Sequence, residues 1–103
     1  MKIEDLFVSS LGSASKLQWY LQHDISLIVY LNARWPQVMF LATTITTLIP
    51  KSKLKAEFSE INSQKILKIL KQERPDLYKI LNTEKGLVWL DREIQGFKDY
   101  FLK

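Results

Sequence analysis

The sequence predicts an all-α single domain, and three observations carry that expectation. Apolar residues recur at steps of three, four and seven along much of the chain, the period of an α-helix. Loop formers are scarce, with three Gly and three Pro among 103 residues. The one strand-like stretch, the β-branched run from Thr43 to Thr47, has no clear partner strand. We therefore expect a bundle of five or six short helices over residues 1–103, with a more apolar half (1–50) and a basic amphipathic half (51–103). The alternative is an α+β fold with a β element between residues 36 and 49.

The elements follow in order. Ile3 to Leu11 is a short amphipathic helix with Ile3, Leu6 and Phe7 on one side and Ser10 beside them. Gly12 suits the left-handed residue that ends a helix, and Ser13 or Ser15 can cap the next. Leu17, Leu21, Ile28, Leu31 and Trp35 then keep a helical period, widened by Tyr20, Ile25, Leu27 and Tyr30. This reads as one central helix. Pro36 breaks it and suits the first turn of another, where its missing amide would be unpaired anyway. Val38, Met39, Leu41, Ala42, Ile45, Leu48 and Ile49 give that helix the composition of a buried element, and Pro50 closes it.

Lys51 to Phe58 reads as a basic connector or short helix. Asn62 or Ser63 caps the following helix, whose inner face is Ile66, Leu67, Ile69 and Leu70. Residues before Pro leave helical geometry, so the helix stops near Arg74 and Pro75 starts a short one burying Leu77, Tyr78, Ile80 and Leu81. Asn82 stops it and Thr83 caps the last helix, with Glu84 complementing the helix dipole. There Leu87, Leu90, Ile94, Phe97 and Phe101 step by three and four, the seam of a helix packed lengthwise on a neighbour. Gly86 and Gly96 each weaken that helix by about 1 kcal/mol relative to Ala, and close approach to another backbone is one reading of both.

Charge is distributed unevenly. Ile25 to Pro50 holds one ionisable side chain, Arg34, whereas Lys51 to Lys103 carries twelve basic and eight acidic residues. The net charge of that second half equals the +4 of the whole chain. A basic surplus of this kind favours nucleic acid or an acidic protein surface as partner. The absence of cysteine removes disulfides, thiolate metal sites and cysteine nucleophiles, and with them any support for an oxidising compartment. Met1 to Leu11, with Glu4 and Asp5 beside Lys2, does not read as a signal peptide, so a cytoplasmic setting is expected. Residues 25–50 are long enough to cross a bilayer. Asn32, Arg34, Pro36 and Gln37 would fall at its dry centre, where an Arg alone costs about 2.5–3.5 kcal/mol. A buried core is the expected place for that stretch, and membrane association ranks last among the readings.

No phosphate-binding Gly loop, H-E-x-x-H or G-x-S-x-G motif occurs, and the single histidine gives no metal-ligand pair. We expect no cofactor, no metal and no catalytic residue. His23 beside Asp24 could supply a base and its orienting carboxylate, but adjacent helical residues diverge by about 100°, which points to a polar surface pair. Binding is the expected function. Lys51, Lys53, Lys55, Lys65, Lys68, Lys71 and Arg74 form a basic series able to neutralise phosphates without reading bases.

Near the end of the sequence, Phe97, Tyr100 and Phe101 resemble the hydrophobic-x-x-aromatic-aromatic core of sliding-clamp-binding peptides. The glutamine of that pattern would fall at Ile94, and here Gln95 stands one place late. The resemblance implies a protein partner such as a clamp or polymerase complex, reached through a short helical turn. A homodimer is the further expectation, since three Trp, four Tyr and five Phe are a generous aromatic content for a chain this short. The leading expectation is a small non-enzymatic accessory protein binding nucleic acid or a nucleic-acid-processing complex, with an adaptor docking through its aromatic last helix as the alternative.

Overall fold

The computed structural model describes residues 3–102, with Ile3 described in its backbone only. Its eight helices are α1 (Ile3–Ser10), α2 (Ala14–His23), α3 (Leu27–Arg34), α4 (Pro36–Thr47), α5 (Lys51–Ser59), α6 (Ser63–Glu73), α7 (Pro75–Leu81) and α8 (Glu84–Phe101). No strand occurs among the described residues, so the β element considered between residues 36 and 49 does not form, and Pro36–Thr47 is helix. The inner-face role expected of the Ile3 side chain lies outside the described residues.

Local chemistry sets most of the boundaries. Gly12 takes φ 76°, the left-handed geometry that ends α1. Ser13 Oγ then accepts the Lys16 N–H at 3.2 Å, capping α2. Asn62 Oδ1 accepts the Lys65 N–H at 2.9 Å to start α6, and Thr83 Oγ1 accepts the Gly86 N–H at 3.0 Å to start α8. Pro36 and Pro75 occupy the first positions of α4 and α7.

Two of the expected elements are corrected here. The central helix expected from Ser13 to Trp35 is two helices. Asp24 turns the chain with φ 52°, a conformation its short polar side chain tolerates. Its N–H returns to Leu21 O, the Ile25 N–H returns to Tyr20 O, and the helix restarts at Leu27. With α5 a helix in its own right, the count rises from five or six to eight.

The second correction concerns α4, which is not a buried helix. It turns Met39, Ala42 and Thr46 inward and leaves Val38, Phe40 and Leu41 exposed. Just past its end, Leu48 is exposed as well. The core lies elsewhere, in one cluster running from Phe7 and Leu11 through Leu17, Tyr20, Leu27 and Leu31 to Ile66, Leu70, Leu77, Leu81, Leu90 and Phe97. Helices α2, α6, α7 and α8 supply most of it, and the broadest helix–helix contact is between α6 and α7. The seam on α8 reaches it through Leu90, Ile94 and Phe97. Gly86 packs against the end of α7, where a Cβ would sit 2.6 Å from Leu81 O. Gly96 has nothing within 4 Å of such an atom, so the close approach expected there does not occur.

Candidate functional site

The seven basic residues lie on two helices, three on α5 and three on α6, with Arg74 at the α6–α7 corner. They are not chemically equivalent. Lys65 is engaged by two carboxylates of the chain, its Nζ 3.7 Å from Glu4 and 3.9 Å from Glu60. Arg74 pairs with Asp76 at 3.1 Å and donates to the Gly12 carbonyl at 3.3 Å, pinning the α1–α2 turn to the start of α7. That guanidinium also holds the Asp76 carboxyl below the usual carboxylate range. Lys71 lies over the Tyr78 ring at 5.8 Å. Lys51, Lys53, Lys55 and Lys68 are exposed and form no ion pair among the described residues. The basic series thus reduces to four uncommitted ammonium groups, flanked by three cations that already serve the fold.

The aromatic residues of α8 divide in the same way. Phe97 is 3% exposed and meets the Phe7 ring edge-on at 4.9 Å. Phe101 is half-buried and stacks on Phe58 at 6.2 Å, which helps hold α5 in place. Tyr100 faces outward, its hydroxyl 3.4 Å from Asn32 Oδ1. Of the clamp-like trio, one side chain is therefore open to solvent.

Three groupings escaped the sequence reading. Lys16 Nζ donates to Tyr30 Oη and lies 5.2, 4.5 and 5.5 Å from the rings of Trp19, Tyr30 and Trp35. This box is filled by its own cation. A second grouping, Trp89, Arg92 and Glu93 of α8, grips the α2–α3 loop. Trp89 Nε1 donates to Ile25 O at 3.1 Å, Arg92 meets Asp24 at 2.7 Å, and Glu93 Oε2 accepts the Leu27 N–H at 3.1 Å. Arg92 holds the Asp24 carboxyl low, whereas burial pushes the Glu93 carboxyl up. An open groove of about 570 Å³ runs beside this clamp, but its Asp24 and Arg92 are already paired with each other. His23 packs on Trp19 with ring centroids 5.4 Å apart, so Asp24 serves Arg92 rather than His23.

The third grouping is the outer face of α4. Phe40 is 75% exposed, Leu41 58% and Leu48, just past the helix, 80%. Every exposed residue of α4 is uncharged. The hydroxyls of Thr43, Thr44, Thr46 and Thr47 donate back to the carbonyls of Met39, Phe40, Thr43 and Thr44 at 2.8–2.9 Å. Their hydroxyl donors are thereby satisfied within the helix. Helical periodicity could not reveal this face, because a helix apolar on every side looks buried from sequence.

Among the described residues no three His, Asp or Glu side chains come together as a metal site. Likewise, no helix among them is long and apolar enough to cross a membrane. Comparison with family models, curated proteins and solved structures finds no match, so function rests on the geometry above.

Proposed function

We propose that this chain is a small non-enzymatic accessory protein that binds nucleic acid through its basic second half. The observation supporting this reading is the set of exposed lysines Lys51, Lys53, Lys55 and Lys68, which form no ion pair among the described residues, three of them close together on α5. An exposed, unpaired ammonium group neutralises a phosphate without first breaking an internal contact. Each phosphate contact releases condensed counterions, so such binding is sequence-independent and steeply salt-sensitive. Lys65 and Arg74 contribute indirectly, by holding α6 against α1 and fixing the corner before α7.

Anisotropy of fluorescent single- and double-stranded DNA across a salt series tests the reading. If four lysines engage duplex DNA, log K falls with log salt at a slope of about −3 to −4. The pair Lys53→Glu and Lys68→Glu should abolish binding while leaving the helical circular dichroism signal intact. Undiminished binding by that double variant sinks the assignment. Lys65→Glu is a poor probe, because it would set a carboxylate against Glu4 and Glu60.

The protein-docking alternative through α8 is less well supported. Seating Phe97 in a partner's pocket requires it to leave contact with Phe7 in the core.

A further inference from the structure

We propose that the outer face of α4 docks on an anionic lipid surface, its apolar side chains entering the interface while Arg34, Lys51, Lys53 and Lys55 meet the headgroups. This goes beyond the nucleic-acid reading and does not depend on it, since α4 carries it.

The shape of the face comes first. At about 100° per residue, Phe40, Leu41, Thr44 and Thr47 fall on the side of α4 opposite Met39, Ala42 and Thr46, and Leu48 continues that outer side. Phe40, Leu41 and Leu48 are all more than half exposed, whereas Met39, Ala42 and Thr46 are buried. A surface helix in water normally turns charge outward; this one turns Phe, Leu and self-satisfied Thr outward. Because its hydroxyls are spent on its own carbonyls, the face enters an apolar medium without stranding a donor. Beside it, a groove of about 390 Å³ between the end of α4, α5 and Phe101 extends the apolar surface, with Lys51 at its edge.

Charge selects the occupant. From Ile25 to Ala56 the chain has no acidic residue, and its four charged groups, Arg34, Lys51, Lys53 and Lys55, are all cationic and flank α4 in sequence. Trp35, 43% exposed, stands at the start of the helix, an aromatic of the kind that settles at headgroup level. An exposed apolar helix face flanked by cations and a half-exposed Trp complements an anionic bilayer surface, whose acyl boundary takes the apolar side chains and whose headgroups take the cations. At 12 residues α4 is too short to cross one, so it lies in the interface. A second copy would bring the same cations together, with Glu57 at the far end of α5 the one carboxylate on either flanking helix. Nucleic acid answers the cations but offers a hydrated backbone to Phe40, Leu41 and Leu48.

Flotation of the full chain with phosphatidylcholine vesicles, with and without phosphatidylserine, tests the proposal, with light scattering on the lipid-free sample. We expect co-flotation with the phosphatidylserine vesicles, weakened at least tenfold without that lipid or in high salt. The double variant Phe40→Glu and Leu41→Glu should lose at least tenfold in partitioning while keeping its helical signal. If that variant unfolds, Leu48→Glu, outside the helix, serves in its place with the same expected direction. Flotation unchanged by these substitutions, or no flotation at all, overturns the proposal. A wild-type dimer that the α4 variants convert to monomer, without flotation, overturns it in favour of a second copy. The variant Lys68→Glu, remote in sequence from α4, should leave flotation intact while weakening DNA binding, so the two readings fail separately.

Discussion

A carboxylate from α8 stands where α3 would carry its own N-terminal cap. Ser26 makes no side-chain cap hydrogen bond, and Glu93 accepts the Leu27 N–H across 66 residues of sequence. Glu93 is only 2% exposed, so its charge sits where water cannot solvate it and its carboxyl pKa is raised by burial. The sign of the pH effect follows. A raised folded-state pKa means that the contribution to stability is full below the ordinary carboxyl range and is lost as pH rises through the raised value. Glu93→Gln keeps an acceptor for the Leu27 N–H and removes the buried charge. Urea unfolding of the two proteins should therefore nearly coincide in acid, and at neutral pH the Gln variant should equal or exceed wild type. Glu93→Ala leaves the Leu27 N–H without its partner and should cost about 1–3 kcal/mol at either pH. A Gln variant as damaged as the Ala variant at neutral pH would show that the charge itself, not the acceptor, holds α3.

At the scale of elements, the two glycines of α8 give opposite expectations for the same substitution. A Cβ on Gly86 would lie 2.6 Å from Leu81 O and 2.7 Å from Leu81 Cα, backbone atoms that cannot swing aside. Gly86→Ala should push α8 off the end of α7 and cost about 1–3 kcal/mol. Gly96→Ala meets nothing within 4 Å and should gain about 0.4–1 kcal/mol from helix propensity. Thermal melts read both, at roughly 4–8 °C per kcal/mol for a chain of this size. The sequence marks both positions alike, and only the neighbour supplied by the fold separates them. Elements bounded by a cap or a proline were legible: Asn62, Thr83, Pro36, Pro75 and Gly12 each act locally and do so here. The α2–α3 break was not, since it contains neither Gly nor Pro and the apolar period from Leu21 to Ile28 runs straight across it. The basic series was legible as composition. Which of its cations remain uncommitted depended on Glu4, Glu60 and Asp76, whose positions only packing decides.

For the molecule as a whole, burial and charge are arranged so that α4 lies at the margin of the core, reaching the core cluster through Met39. Helices α2, α6, α7 and α8 pack on one another, while α4 makes extensive contact with α3 alone and commits three residues to the interior. Local opening costs least where few apolar contacts are lost. Amide exchange should therefore find the N–H groups of 40–47 opening well below the global unfolding free energy, and those of Ile66, Leu70, Leu90 and Ile94 near it. The Thr hydroxyl bonds do not change this ranking, because they lie within α4 and tie it to nothing else. Exchange at α4 as slow as at α8 in dilute, lipid-free protein would mean that a second copy already covers the face. Fast exchange that slows when phosphatidylserine vesicles are added, and not with phosphatidylcholine alone, would locate the covering surface on α4 residue by residue. The same experiment with DNA should protect α5 and α6 and leave α4 open, since phosphate contacts reach the lysines without burying Phe40 or Leu41.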